Sequence, residues 1–258
     1  MGRFEAELAA QRGRKYFALM EIGKEGHPRR PANLPMYAEA CLQALVAHGL
    51  GDRISLGGAI GLMHYLEYRP THDVDAWWTG AATSEDQRQV VAVIQKTLTA
   101  AGSVKTRTWG DVVSIELNRE GTGTFSFQIA RRSAQLESSA PAPWISVLLD
   151  SFSDLVASKM TALVERGAPR DFRDLFALCQ AELATPQQCW DLWRRRQQLA
   201  GSDTDHARAR LAVETHLARI EQHRPLEQIS DGDQKAEAQK VRSWFVKDFL
   251  EALDEKSK

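Results

Sequence analysis

Residues 54–78 read ISLGGAIGLMHYLEYRPTHDVDAWW. The order is that of a strand, a Gly-Gly turn, a short apolar helix over Ala59–Tyr68, and a second strand that opens Asp73-Val74-Asp75. A strand has a period of two, so Asp73 and Asp75 share one face and Val74 takes the other. Two adjacent carboxylates repel in water and become useful when a divalent cation sits between them. Gly57 and Gly58 let the backbone approach a ligand closely, as in a turn that cradles phosphate. Together they form a candidate site for a metal and a nucleoside triphosphate. Each motif alone also fits a plain surface strand or an ordinary turn. Arg69, just before the strand, either meets a phosphate or pairs with Asp73.

Working outward, Pro35–His48 has helical spacing, with Leu42, Leu45 and Val46 on its apolar side. Residues 1–24 read as a helix with a mixed polar face, and 25–35 carry three prolines, so they read as an extended arm. Thr83–Ala101 is a long amphipathic helix through Val90, Val91, Ile94 and Leu98, closed by Gly102. Three strands follow at Val104–Trp109, Val112–Leu117 and Thr124–Ile129, the first two joined at Gly110-Asp111 as a hairpin. This predicts a mixed-sheet α/β domain. After the apolar run Trp144–Leu149 the pattern is helical throughout: Ser153–Arg166 with Ser151 or Ser153 as cap, then helices opening at Pro169, Pro186 and Asp205, then Gln234–Leu253. The expected organisation is an arm over 1–35, a mixed-sheet domain over 36–150 and a helical domain over 151–258.

Composition sets bounds. With 258 residues, 43% hydrophobic and 26% charged, the chain has the makeup of an ordinary globular protein with one or two cores. A net charge of −1 argues against bulk electrostatic capture of nucleic acid while leaving room for a local basic patch. Cys41, Cys179 and Cys189 form no metal pattern and read as reduced thiols of a cytoplasmic protein. No apolar run reaches membrane-spanning length, and no signal-peptide core is evident at the N-terminus.

A second constellation lies at 154–176, DLVASKMTALVERGAPRDFRDLF. Lys159 and Arg166 are seven apart on one helical face, and Asp171 and Asp174 are three apart on the next helix. One reading is a helical hairpin laced by surface ion pairs, each worth little. The other puts Lys159 and Arg166 on phosphates, with an aspartate orienting them or acting as a base. Trp77 and Trp78 read as core and sheet edge before a base-stacking platform, and His72 as a local hydrogen-bonding residue before a catalyst. Arg194–Arg196 is either a solvated face or an RNA contact.

Taken together, the two stretches resemble the AbiEii/AbiGii family of nucleotidyltransferase-like toxins, within the DNA polymerase β-type superfamily. The residues that carry the resemblance are Gly57, Gly58, Arg69, Asp73, Asp75, Lys159, Arg166, Arg170, Asp171 and Asp174, within residues 36 to 182. The resemblance implies a mixed sheet bearing the two aspartates, followed by a helical domain. It implies transfer of a nucleotidyl group from an NTP to an acceptor hydroxyl, with tRNA as acceptor in some members, and a cognate antitoxin as partner. Asp73 and Asp75 would hold one or two Mg²⁺ ions. Gly57, Gly58, Arg69, Lys159 and Arg166 would bind the nucleotide, and Lys159, Asp171 and Asp174 would join the aspartates in catalysis. One departure stands out. The superfamily's third carboxylate falls on the strand Phe125–Ile129, which carries Gln128 instead, with Glu116, Asp171 or Asp174 as possible substitutes. A catalytically weak nucleotide-binding protein of the same fold, or a small-molecule (antibiotic) nucleotidyltransferase, are the alternatives.

Overall fold

The computed structural model describes residues 26–119 and 123–253; the helix expected over 1–24 lies outside them. The chain forms two compact units. The first ends at Arg132 and takes back Ser139–Asp150, while Ser133–Ser138 and the described residues from Ser151 onward form the second.

The first unit is a seven-stranded mixed sheet, and the fold is α/β, with eight α-helices among the described residues. Helix α1 (Met36–Ala47) leads to β1 (Ile54–Leu56), α2 (Gly58–Met63) and β2 (Asp73–Trp78). Then come α3 (Ser84–Thr99), β3 (Ser103–Trp109), β4 (Val112–Arg119), β5 (Gly123–Ala130), β6 (Ala140–Ala142) and β7 (Ile145–Leu149). The spatial order is β3-β4-β5-β2-β1-β7-β6. Pairing is parallel for β2 with β5 and for β1 with β7, and antiparallel elsewhere.

Alternation decides the two faces of this sheet. Val74, Ala76, Ile115, Leu117, Phe127 and Ile129 point one way and are buried. The face they line is covered by α1, through Cys41, Leu42 and Leu45, and by α3, through Val90, Ile94 and Leu98. Burial pushes the Cys41 thiol up to about 12. Helix α3 starts at a capping box in which the Thr83 hydroxyl accepts from the Asp86 N–H and the Asp86 carboxylate accepts from the Thr83 N–H. The opposite face carries Asp73, Asp75, Ser114, Glu116, Ser126 and Gln128.

Two elements differ from expectation. The helix after Gly-Gly stops at Met63 instead of running to Tyr68. There His64 donates from Nδ1 to the Ile60 carbonyl (2.9 Å) and its Nε2 accepts from Trp144 Nε1–H (3.1 Å), which fixes one neutral tautomer. Past it, the Glu67 carboxylate turns the chain by accepting from the backbone of Ala32 and Asn33. Trp144–Leu149 contributes an interior parallel strand, β7, whose outer neighbour β6 the sequence reading did not anticipate.

The second unit contains α4 (Phe152–Glu165), α5 (Pro169–Gln180), α6 (Pro186–Leu199), α7 (His206–His223) and α8 (Gly232–Trp244). The last predicted helix departs from α geometry at Phe245–Phe249, a π turn, and ends as a 3₁₀ turn at Glu251–Leu253. Aromatic packing accounts for the change. Phe245 meets Phe172 edge-on at 4.7 Å, and the Phe249 carbonyl accepts from Trp190 Nε1 at 3.1 Å. The connection 133–138 belongs to this unit because the Asp154 carboxylate accepts from the backbone N–H groups of Leu136 and Glu137, at 2.8 and 3.0 Å. Among the described residues no helix is long and apolar enough to cross a membrane.

Candidate active site

The site is built on β2. Asp73 and Asp75 are half-buried on the polar face, and Val74 between them is fully buried beneath the sheet. The parallel neighbour β5 sets Ser126 opposite Asp73 and Gln128 opposite Asp75. The Ser126 hydroxyl donates to Asp73 Oδ1 at 2.8 Å. Both aspartates therefore face neutral, oxygen-bearing neighbours across the strand.

The Gly-Gly turn is fitted to this strand. Gly57 N–H donates to the Asp75 carbonyl at 2.9 Å, bringing the start of α2 against β2. Gly58 adopts φ +55°, and a Cβ there would come within 2.2 Å of Asp75 Oδ2. A Cβ on Gly57 would meet Trp77 Nε1 at 2.5 Å. The two glycines thus leave room for the side chains of Asp75 and Trp77, a steric reason for glycine that holds before any ligand arrives.

Beside Trp77 lies a cluster that the sequence did not reveal. The Arg132 guanidinium stacks over the Trp77 ring, 5.7 Å from its centroid, and pairs with the buried Asp150 at 2.6 Å. Ser55 Oγ donates to the same carboxylate, and Ser139 Oγ does so at 3.3 Å. These residues are scattered over three segments, so no spacing rule points to them. Ser126 had a signal, since polar residues at every second position of Phe125–Ile129 mark its open face.

Gln128 does occupy the position directly across from Asp75. Glu116 is one strand further out, opposite Ser126, and pairs with Arg107 at 3.3 Å. Among the described residues no group of three or more His, Cys, Asp or Glu side chains is placed to hold a metal. Two aspartates with neutral oxygens beside them still suit one Mg²⁺, which binds through one or two carboxylates and takes its other ligands from water and substrate phosphates. The donor set fits one such ion.

The other sequence candidates lie as follows. Arg69 stacks on Tyr68 (5.7 Å) and donates to the Pro70 carbonyl at 3.3 Å. Trp78 is core, and His72 is exposed. In the helical unit Lys159 Nζ lies 2.6 Å from Asp174 Oδ2, with both side chains buried. Arg166 forks onto Asp171 through Nε and Nη2, at 2.9 and 3.0 Å. The hairpin is laced by ion pairs, but their carboxylates are fully buried, not on the surface as one reading had it. The tight turn that permits this is Gly167, at φ +53°, whose absent Cβ would collide with His216 at 2.3 Å. Arg194–Arg196 also needs correction: Arg196 turns inward beside Trp193, is 6% exposed and donates to Ser158 Oγ at 3.1 Å, so it is neither solvated nor free for RNA.

A family model described as nucleotidyl transferase AbiEii toxin, type IV TA system, matches residues 40–255. No curated protein matches the sequence. Among solved structures, the chain is similar to an antigenic nucleotidyltransferase-like protein from Paracoccidioides brasiliensis, at 14% identity and a TM-score of 0.41, covering 82% of this chain and 95% of that one. It is also similar to ANT(2″)-Ia in complex with adenylyl-2″-tobramycin, at 14% identity and a TM-score of 0.35, covering 70% and 95%. A third likeness is to CdnC from E. coli with ATP, at 15% identity and a TM-score of 0.27, covering 71% and 62%.

Proposed function

The chain belongs to the AbiEii nucleotidyltransferase toxin family, and on that premise we propose that it transfers a nucleotidyl group from an NTP to an acceptor hydroxyl at the Asp73–Asp75 strand. The observation that carries this reading is the fit between Gly58 and Asp75. Two carboxylates stand on one open strand face, and the turn beside them has no side chain to cover them. A divalent cation held by Asp73 and Asp75 would neutralise phosphate charge.

The chain's own residues have defined parts. Ser126 orients Asp73 by donating to Oδ1, which leaves Oδ2 for the cation. Gly57 and Gly58 leave the backbone open to the phosphates. The acceptor oxygen attacks the α-phosphorus, the bond to the bridging oxygen breaks, and pyrophosphate departs while the acceptor loses its proton. Positioning and charge supply most of the acceleration in such a step. RNA, tRNA included, is the acceptor class we favour, and restraint by an antitoxin is the cellular context implied by the family.

Gln128 opposite Asp75 favours a second reading, in which the fold binds nucleotide without turnover. The test is thermal unfolding with Mg²⁺ and each of the four NTPs, for wild type and Asp73→Ala, followed by labelled transfer to bulk tRNA and to an aminoglycoside. At a hundredfold excess over Kd, binding stabilises the folded state by about 2.7 kcal/mol. Stabilisation lost in Asp73→Ala, with label on RNA, is the expected result. Stabilisation with no transfer supports the second reading. No stabilisation by any NTP overturns both.

A further inference from the structure

Strand β3 is an edge of the sheet and carries Lys105, Arg107 and Trp109 at every second position. Its register with β4 pairs Lys105 with Glu116 and Arg107 with Ser114, and β5 carries the same rows on to Asp73 and Asp75. The three side chains therefore stand on the same sheet face as the two aspartates. Three inter-strand steps separate β3 from β2, about 14 Å. The intervening positions pack the other way: Val104 lies opposite the buried Leu117, and Thr106 Oγ1 accepts from Gln95 of α3 at 2.6 Å.

Edge strands commonly carry Lys or Arg to block pairing with other chains. That accounts for Lys105 and Arg107 but not for Trp109, which is 51% exposed. An exposed indole on an edge invites association. Arg107 is 53% exposed, and its 3.3 Å pair with Glu116 is a surface pair of small worth, open to exchange for a phosphate. Two cations and one exposed aromatic ring in a row, beside the single carboxylate of β4, Glu116, match a strand of alternating phosphates and bases.

We propose that Lys105, Arg107 and Trp109 form a platform for a single-stranded RNA acceptor, with phosphates on the two cations and a base stacked on Trp109. The platform rests on the nucleotidyl-transfer reading of the Asp73–Asp75 strand and supplies its acceptor side. It also gives a protein of net charge −1 a confined place to meet a polyanion.

The experiment uses the full chain, a 12-nucleotide oligouridylate followed by fluorescence anisotropy, and Mg²⁺–ATP stabilisation measured in parallel. Trp109→Ala weakens RNA binding about tenfold. Lys105→Gln with Arg107→Gln lowers the slope of log K against log salt by about 1.4, two single-strand phosphates. All three positions are on the surface, so the variants keep the wild-type melting temperature and nucleotide stabilisation. RNA binding unchanged in the triple variant, or absent in wild type, overturns the platform while leaving nucleotide binding at β2 standing. RNA binding that depends on Trp109 in a chain stabilised by no NTP upholds the platform and removes the transfer reading. Equal binding of polyglutamate, insensitive to Trp109, makes the patch a general anion surface and overturns the proposal.

Discussion

The polar face of the sheet and the hairpin of α4 and α5 both carry two aspartates at close spacing, yet the fold treats them in opposite ways. Asp73 and Asp75 are half-buried on a strand face, opposite Ser126 and Gln128 of the neighbouring strand. Asp171 and Asp174 are buried and are met by Arg166 and Lys159. A half-buried pair stays within reach of a ligand, whereas each carboxylate of the buried pair is taken up by a cation of its own hairpin. The contrast separates the pair we propose for a cation from a pair taken into the interior of the fold, although the four look alike as sequence.

The largest effect expected tests that contrast directly. Asp174→Asn leaves the Lys159 ammonium buried without its carboxylate and costs about 3–5 kcal/mol in urea unfolding. Asp73→Asn, which keeps an oxygen for the Ser126 hydroxyl, stays within about 0.5 kcal/mol of wild type in the same assay while transfer falls about 10²–10³-fold. Equal stability losses in the two variants would erase the distinction. Asp171→Asn should fall between them, since its partner Arg166 is 51% exposed and can turn to water.

Gly58→Ala comes next. The left-handed backbone and the clash with Asp75 together cost about 2 kcal/mol, and transfer falls with the displaced carboxylate. A crystal structure of the variant with Asp75 unmoved would refute the steric account.

A smaller effect concerns pH. Burial holds the His64 imidazole below its ordinary value of 6.5, because the charged ring would lose water and gain too little from its neighbours. The unfolded chain then takes up the proton first as pH falls through 6.5. The stability that His64 contributes is complete above 6.5 and is lost as pH falls from there through the folded value. The urea midpoint should decline between pH 7 and pH 5, and a flat profile across that range would contradict the buried neutral ring. The smallest effect expected is at Cys41: with its thiol pushed up to about 12, the folded protein should resist alkylation at pH 8 and react only on unfolding.

Much of this was legible locally. Alternation in DVDAWW, the helical periodicity of α3, the Gly110-Asp111 hairpin and the cap at Ser151, one of two candidates there, are short-range signals, and the elements formed where these signals stood. The misses share a cause. The early stop at Met63, the π turn at Phe245 and the inward turn of Arg196 each answer to a partner distant in sequence: Trp144 for His64 at the end of α2, Phe172 and Trp190 for the aromatic end, Ser158 for Arg196.

The sequence by itself determined that Asp73 and Asp75 share a strand face, because a period of two is a property of the backbone alone. It also determined that a glycine turn precedes them. Only the tertiary structure decided which neighbours they receive. Strand order brought β5 alongside β2 and so put Ser126 and Gln128 across from the aspartates, and it made β3 an edge. Burial then closed the second acidic pair into ion pairs, because an ionised carboxylate removed from water must be met by a cation or hydrogen-bond donors, and no local pattern announces which carboxylate will be removed.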